Sequence, residues 1–351
     1  MLEKFTQQLA AAHPLTNEQV RQAVDQLADE KIPSSVKADF LTALAQKGET
    51  PDEIAAFARA LRDKSISPPL DPAWRDAREI LDVVGTGGDR LGTFNISTAA
   101  ALICAAAGVA VAKHGNRAVT SQAGSADVLE ALGIRIDLTP PDAVRSLRER
   151  QFAFFFAPAW HPAFKHIAPA RKLCAERGQR TIFNYLGPLL NPARPSAMLI
   201  GVPRSELCEP LARVLQSLGV RRAMVVCGMV QSPKSKVQSA TDELSTLGPN
   251  TIAEFYQERG FATSTLSPAE FPLQEATLAD LIGGDRRANA EIIRRIFRGE
   301  ERGPKRDAVL LNAAAALFVA GKTKSLAEGW DLAGRTIDSG CAKMKLEELA
   351  R

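Results

Sequence analysis

Residues 79 to 98 read EILDVVGTGGDRLGTFNIST, and the pattern of the chain changes twice within them. The apolar run EILDVV predicts a short buried strand, which leads directly into GTGGD. Glycines at that point let the backbone turn tightly and present its N–H groups to an anion. NIST then opens an alanine-rich helix, whose free N–H groups and hydroxyls form a second surface for a phosphate. The stretch predicts a strand, an anion-binding loop and a helix.

This loop fits neither of the two standard phosphate motifs. It is not the dinucleotide pattern GxGxxG, and it lacks the GK[ST] ending of a P-loop. The alternative interpretation is an ordinary glycine-rich turn in which Ser97 or Thr98 only caps the helix.

Further strands and helices alternate after this unit. Apolar runs at GVAVA (108–112), MLIGV (198–202) and RAMVVCG (222–228) predict buried strands, and SELCEPLARVLQSLG (205–219) predicts a helix between two of them. From about residue 285 the pattern is mostly helical. This alternation predicts an α/β domain with a mostly parallel central sheet.

The first 66 residues or so predict helices only. Thr16 with Gln19, and Thr50 with Glu53 in TPDE, are capping-box signatures. SISPPLDPAW (65–74) is rich in proline and serine and predicts a linker. We therefore expect a helical domain over residues 1–70 and an α/β domain over residues 78–351.

The composition excludes several classes of protein. The chain has 351 residues, 45% of them hydrophobic, and a net charge of +4 without a dense basic run, so neither nucleic-acid nor membrane-surface binding is indicated. Five scattered cysteines predict neither a zinc site nor a disulfide framework. The start MLEKFTQQLA is not typical of a signal peptide, and the longest apolar run predicts a buried helix rather than a membrane span. We expect a cytoplasmic protein.

KHGNRAVTSQAGS (113–125) follows the second predicted strand and is dense in polar groups. Lys113 at the end of a strand offers a point charge to a phosphate, and Asn116, Ser121 and Ser125 add hydrogen-bonding groups. An isolated His114 would more often be a structural histidine, but its polar neighbours favour a loop that faces a ligand.

Two later stretches carry weaker signals. Arg171 follows HIAPA near the start of a predicted helix, where a guanidinium could bind a carboxylate or remain a surface group. NYLGPLLNP (184–192) predicts a rigid turn beside a pocket. Asp242 and Glu243 in ATDELST could bind Mg²⁺, although most such pairs are simply solvated.

Taken in this order, the motifs resemble those of the anthranilate phosphoribosyltransferase family of tryptophan biosynthesis. GTGGD, NIST, KHGNR, GSADVLEALG, TIFNYLGPLLNP and RDAVLLNAAAAL carry the resemblance, which covers nearly the whole chain. Pyrimidine nucleoside phosphorylases share the architecture, but KHGNR and GTGGD are closer to the transferases. The resemblance implies a helical domain, with part of about 150–185 packed on it, hinged to an α/β domain, and a homodimer formed through the helical domain.

The resemblance also implies a reaction and its site. Phosphoribosyl pyrophosphate would donate to the amine of anthranilate and release pyrophosphate, with two Mg²⁺ ions bound beside the donor. The implied donor site consists of Gly85, Gly88, Asp89, Thr93, Asn95, Ile96, Ser97, Thr98, Lys113, His114, Gly115, Asn116, Arg117, Ala118, Val119, Thr120, Ser121 and Ser125. The implied acceptor site consists of Gly85, His114, Asn116, Arg171 and Pro188. Ser97, Asp242 and Glu243 would hold the metal ions. No further catalytic residue is implied, because positioning and electrostatics would suffice.

Two stretches depart from the family's pattern. Cys227 stands where the family usually has histidine, with a longer polar loop over 228–241, and about three residues are added within 173–179. Both changes fall near the implied acceptor and metal positions. They leave two alternatives open: a related transferase with another aromatic or nitrogenous acceptor, and a non-catalytic relative that binds nucleic acid.

Overall fold

The fold is taken from a computed structural model, which describes residues 1–118, 122–232, 235–257 and 259–351. Its helices are α1 Leu2–Ala10, α2 Asn17–Ala28, α3 Ser34–Lys47, α4 Pro51–Asp63, α5 Pro72–Asp76, α6 Ile96–Ala106, α7 Ser125–Ala131, α8 Pro140–Arg150, α9 Ala157–Trp160, α10 Phe164–Glu176, α11 Phe183–Leu189, α12 Cys208–Ser217, α13 Leu278–Leu281, α14 Arg286–Phe297, α15 Pro304–Val319, α16 Leu326–Asp338 and α17 Cys341–Leu349. Its strands are β1 Ile80–Gly85, β2 Ala110–Gly115, β3 Phe152–Phe156, β4 Ala197–Gly201, β5 Arg222–Ser232, β6 Ser235–Thr241, β7 Asn250–Tyr256 and β8 Gly260–Leu266.

The N-terminal helices begin where the sequence predicts. Thr16 and Gln19 form a capping box at the start of α2, and Thr50 and Glu53 form another at the start of α4. In each box the hydroxyl accepts from a backbone N–H that has no partner within the helix, while the longer side chain accepts from the backbone N–H of the cap residue. Both capping boxes predicted from the sequence are confirmed.

The strands form one mixed sheet in the order β3-β2-β1-β4-β5-β7-β8, with β6 paired to β5. The pairs from β3 to β5 are parallel, whereas β7, β8 and β6 join in antiparallel fashion. Gly85 at the end of β1 lies opposite Gly201 at the end of β4. Since parallel strands end at the same edge, the loops after β1, β2 and β4 meet there. The α/β fold class with a mostly parallel central sheet is confirmed.

Two large apolar cores lie on either side of the sheet. One contains α6, α14, α15, α16 and α17 against one face. The other joins α1–α4 to α10, α11 and α12 against the opposite face. The helical bundle therefore does not have a separate core of its own, and α10 packs on α3.

Several local predictions need correction. The second strand runs from Ala110 to Gly115, so Lys113 and His114 belong to the strand rather than to the loop after it. The stretch predicted as a rigid turn contains α11, with Pro188 inside the helix. The predicted linker contains α5, and β3, β6, β7 and β8 were not predicted. The sequence pattern does not predict β8, because exposed side chains interrupt its apolar run.

No helix among the described residues is long and apolar enough to cross a membrane. The predicted donor residues Val119, Thr120 and Ser121 lie outside the described residues.

Candidate active site

Two facing glycines make room for Asp242 at the edge of the sheet. A β-carbon on Gly85 would lie 2.1 Å from the Asp242 Oδ2, and one on Gly201 would lie 1.5 Å from the Asp242 carbonyl oxygen. The Asp242 backbone thus crosses directly over the ends of β1 and β4. Its carboxylate reaches the glycine loop, because the Gly87 N–H donates to Oδ2 over 2.6 Å. Gly87 has a φ of 74°, which suits glycine.

Glu243 connects the same segment to the start of α6. Its Oε1 accepts from the Ser97 N–H over 3.2 Å, in the first turn of the helix. That position favours negative charge, because the first N–H groups of a helix have no partner within it. Asp242 and Glu243 therefore bridge the two segments, GTGGD and NIST, that follow β1.

The carboxylates are crowded. Asp89 accepts from the Thr241 hydroxyl over 3.0 Å, which places it beside Asp242. Burial raises the pKa of Asp242, and the negative charge of Asp89 raises it further. Burial raises the pKa of Glu243 as well, with a second contribution from Asp242 and an opposing one from Lys113. A bound cation would relieve this repulsion.

These residues fit magnesium in the chemistry of their donor atoms. Mg²⁺ prefers oxygen ligands and commonly uses one or two carboxylates together with substrate phosphates. Within the described part of the chain, no three His, Cys, Asp or Glu side chains converge on a single metal position. The carboxylates are thus suited to a metal that a phosphorylated substrate also binds, and less to a closed structural site.

Lys113 is buried beside the end of β1, which leads into the GTGGD loop. It is 1% exposed, and its Nζ donates to the Val83 carbonyl over 2.5 Å. Burial lowers the pKa of Lys113, whereas Asp82 and Glu243 oppose that change. The positive charge of Lys113 therefore acts on the carboxylates of Asp82 and Glu243 and on the end of β1.

Asp82 and Asn191 hold the ends of β1 and β2 together. Asp82 is fully buried and accepts from the Asn191 Nδ2 over 2.8 Å and from the His114 N–H over 3.3 Å. Asn191 also donates to the Ala112 carbonyl over 2.7 Å. This network fixes the strand that carries Lys113 and His114. Neither Asp82 nor Asn191 was singled out from the sequence, although a lone aspartate in the apolar run EILDVV was a usable signal.

The segment after β2 is tightly folded. A β-carbon on Gly115 would lie 2.2 Å from the Ser125 Oγ, and that hydroxyl donates to the Asn116 carbonyl over 3.5 Å. The exposed Asn116 side chain folds back onto its own backbone, where its Oδ1 accepts from the Arg117 N–H over 2.7 Å. The Ala118 N–H donates to Asp127 over 2.9 Å.

Arg117 is held by acidic side chains of α7. Its guanidinium contacts Glu130 at 2.6 Å and Asp127 at 3.1 Å. The protein itself therefore neutralises the charge of this predicted donor residue.

The remaining predicted donor residues surround the start of α6. The Asn95 amide donates to the Ala123 carbonyl and accepts from Asn289, whereas Ile96 is buried. The Thr98 hydroxyl is buried without a hydrogen-bond partner among the described residues. Thr93 forms a β-bridge with Ile282.

A row of aromatic rings leads from His114 to Arg171. His161 contacts Phe164 with ring centroids 5.5 Å apart, and Phe164 contacts Phe183 at 5.6 Å. The exposed Arg171 stacks over Phe183, its guanidinium carbon 5.2 Å from the ring centroid. The charge of Arg171 therefore lies at the solvent-exposed end of this row of rings.

Pro188 is buried in α11, and the backbone of the neighbouring Gly187 lies close enough to the His114 ring to oppose the lowering of its pKa. Of the predicted acceptor residues, His114 and Pro188 therefore come close together.

Arg180 was not singled out as a site residue. Its Nη2 lies 3.0 Å from the position that a β-carbon on Gly88 would take. The added residues within 173–179 form the last turns of α10 and the turn at Gly178, after which the chain returns to the glycine loop.

Comparisons with known proteins identify the class and then the family. Residues 77–343 match the family model described as "Glycosyl transferase family, a/b domain", and residues 3–65 match its helical bundle domain. The chain is 45% identical to the anthranilate phosphoribosyltransferase of Petrotoga mobilis, over 99% of this chain and 96% of the relative. It is 44% identical to that of Geobacter sulfurreducens, over 99% and 98%.

Solved structures agree. The anthranilate phosphoribosyltransferase of Thermus thermophilus superposes with a TM-score of 0.85 at 41% identity, over 99% of this chain and 98% of that one. The Saccharomyces cerevisiae enzyme in complex with PRPP and Mg has a TM-score of 0.83 at 27% identity, over 99% and 96%. Another structure of the yeast enzyme contains 4-fluoroanthranilate. The chain belongs to the anthranilate phosphoribosyltransferase family.

Proposed function

We propose that the protein transfers the phosphoribosyl group of phosphoribosyl pyrophosphate to the amine of anthranilate. The products are N-(5-phosphoribosyl)anthranilate and pyrophosphate, and the reaction belongs to tryptophan biosynthesis. The observation that carries the proposal is the position of Asp242 and Glu243, which join the GTGGD loop to the start of α6. Relatives named anthranilate phosphoribosyltransferase, which are 43–45% identical over 99% of this chain, support the proposal.

The donor would lie along the glycine loop and the start of α6. Backbone N–H groups there favour anions, as those of Gly87 and Ser97 already do for Asp242 and Glu243, and the buried charge of Lys113 adds attraction for the phosphates. We assign to the donor Gly85, Gly88, Asp89, Thr93, Asn95 to Thr98, Lys113 to Ser121 and Ser125. Because Arg117 is already paired with α7, its part would be to shape the loop.

Two magnesium ions would accompany the donor. Ser97 with Glu243 would hold one ion, and Asp242 with Glu243 the other. When bound, magnesium neutralises the charge of the pyrophosphate and of the carboxylates. The yeast relative was solved with PRPP and Mg, which supports the use of this metal.

Anthranilate would enter along the aromatic row. Arg171 would bind its carboxylate, and Asn116, Gly85, His114 and Pro188 would border its ring and amine. In the reaction the amine nitrogen forms a bond to C1 of the ribose as the bond from C1 to the pyrophosphate oxygen breaks, and the nitrogen releases one proton to the departing pyrophosphate or to water. The amine is neutral at pH 7, so the site needs positioning and charge stabilisation more than a strong base.

The assembly would be a homodimer formed through the helical bundle, with a hinge between residues 1–70 and 78–351.

Loss of anthranilate fluorescence tests the proposal. Purified protein with phosphoribosyl pyrophosphate and Mg²⁺ should consume anthranilate and release pyrophosphate in equal amounts. Turnover of another amine, with anthranilate left unchanged, would favour the related transferase with a different acceptor. A shift of single-stranded DNA that persists at moderate salt, without turnover of any amine, would favour the nucleic-acid-binding alternative.

A further inference from the structure

Two buried histidines from different elements meet on the proposed acceptor side. His114 ends β2 and is 5% exposed, and His161 follows α9 and is 4% exposed. Their Nε2 atoms lie 3.1 Å apart, and their ring planes are inclined by 68°. A hydrogen bond between two ring nitrogens contains one hydrogen, so one ring donates and the other accepts.

The surroundings decide which ring donates. The His114 ring also lies beside the backbone of Gly187, whose carbonyl favours a hydrogen on the ring nitrogen that faces it. Since its Nε2 faces His161, the hydrogen on the Gly187 side belongs to Nδ1. If His114 carried its hydrogen on Nε2 instead, its unprotonated Nδ1 would face the Gly187 carbonyl oxygen, and two lone pairs would oppose each other.

The surroundings of His161 lead to the same assignment of the hydrogens. The His161 Nδ1 is buried, and within the described residues it has no hydrogen-bond partner. If His161 carried its hydrogen there, a buried N–H would be left without an acceptor. With the hydrogen on Nε2, the His161 ring uses its only donor on His114.

Burial keeps both rings neutral, and nearby positive charges add to its effect on His114. Burial is the main cause that lowers the pKa of His114 to about 3, and His161, Arg62 and Lys113 lower it further. Burial likewise lowers the pKa of His161 to about 4. The carboxylate of Asp82 is engaged by the His114 backbone N–H.

We infer that His161 is a positioning residue, whose Nε2–H holds His114 as the neutral Nδ1–H tautomer beside Pro188. The link to the acceptor rests on the proposed function. With both its nitrogens engaged, His114 has no lone pair with which to accept a proton from an amine. It forms an uncharged wall, and its orientation depends on His161.

Nitrogen NMR tests the assignment directly. The chain contains four histidines, His13, His114, His161 and His166. Long-range proton–nitrogen spectra of the labelled wild-type protein should show one Nδ1–H and one Nε2–H tautomer that do not titrate between about pH 5 and 8. The variants H161Q and H166Q assign the signals. A His114 in the Nε2–H form, or one that titrates in this range, would overturn the inference.

Two substitutions separate positioning from general stability. H161Q keeps an N–H near the former Nε2, whereas H161L removes it. We expect H161L to raise the KM for anthranilate about five- to tenfold with little change in the KM for the donor, and H161Q to restore most of the loss. H166Q is the matched control on the adjoining helix. Equal KM values for H161L and H161Q would contradict the inference.

The spectra need no substrate, so they are independent of turnover. The predicted tautomers in a protein that does not consume anthranilate would refute the proposed function but not the tautomer assignment. Normal turnover by a protein whose His114 carries its hydrogen on Nε2 would refute the positioning role of His161 alone.

Discussion

At the scale of single residues, Asp242 is the most constrained side chain of the site. Its backbone and carboxylate lie against Gly201 and Gly85, and its Oδ2 accepts from the Gly87 N–H. It also lies beside Asp89 and Glu243. The protein's own backbone thus holds the carboxylates in place, which is the preorganisation that charge stabilisation requires.

G85A should displace the Asp242 carboxylate. The added methyl group would lie 2.1 Å from Oδ2, so the side chain must move. We expect kcat/KM to fall about a hundredfold, since a shift of about 1 Å in a catalytic group can cost that much. The control is G334A, where the nearest atom would lie 3.9 Å from the new methyl group. Similar kcat/KM values for the two variants would contradict the placement of Asp242.

R171A should weaken binding of anthranilate. If the guanidinium binds the acceptor carboxylate, its loss should raise the KM for anthranilate about tenfold or more and leave the KM for the donor nearly unchanged. The control is R177A, because Arg177 ends the same helix but pairs with Asp39 at 2.8 Å. Equal changes in both KM values would show that Arg171 does not contact the acceptor.

At the scale of elements, Glu53 stabilises the start of α4 and connects it to the loop between α1 and α2. It is 1% exposed, its Oε1 accepts from the Leu15 N–H, and its Oε2 accepts from the Thr50 N–H and Lys47. Burial alone would raise the pKa of Glu53, but the hydrogen bond from Lys47 and those from the two N–H groups lower it below 4.5.

E53Q should therefore lower the free energy of unfolding by about 2 kcal/mol near neutral pH. Since the pKa is lower in the folded protein, the wild-type advantage is complete above the ordinary value of 4.5 and lost as the pH falls through the folded value. Denaturant titrations at several pH values measure this. The control is E18Q in the first turn of α2, where Glu18 is exposed. An advantage that persists at low pH would contradict this account.

How far the sequence predicts each element depends on how local its signal is. The capping boxes, β1 and β4 follow from hydroxyls, prolines and apolar runs within a few residues. The predicted end of β2 was wrong because Lys113 and His114 have polar side chains, which are typical of loops. Their burial is explained by their contacts with the Val83 carbonyl and with Asp82. Likewise, the meeting of Asp242 with Gly85 depends on residues 157 positions apart in a folded sheet, which no local pattern contains.

At the scale of the whole molecule, the site lies where the two apolar cores approach the carboxyl edge of the sheet. The buried Arg62 of α4 donates to the Leu189 carbonyl over 2.5 Å and so connects the helical bundle to α11. Pro188 lies next to that contact, and His114 contacts Gly187. The bundle and the proposed acceptor side are therefore connected by direct contacts, while the carboxylates are anchored to the sheet.

The account's central claim is that Asp242 and Glu243 form a magnesium-dependent site for the donor. Calorimetric titration of phosphoribosyl pyrophosphate, with and without Mg²⁺, tests it in the wild type and in the double variant D242N/E243Q. We predict that Mg²⁺ tightens binding to the wild type at least about tenfold and has little effect on the double variant. An equal effect of Mg²⁺ on both proteins would contradict the claim and move the metal site elsewhere.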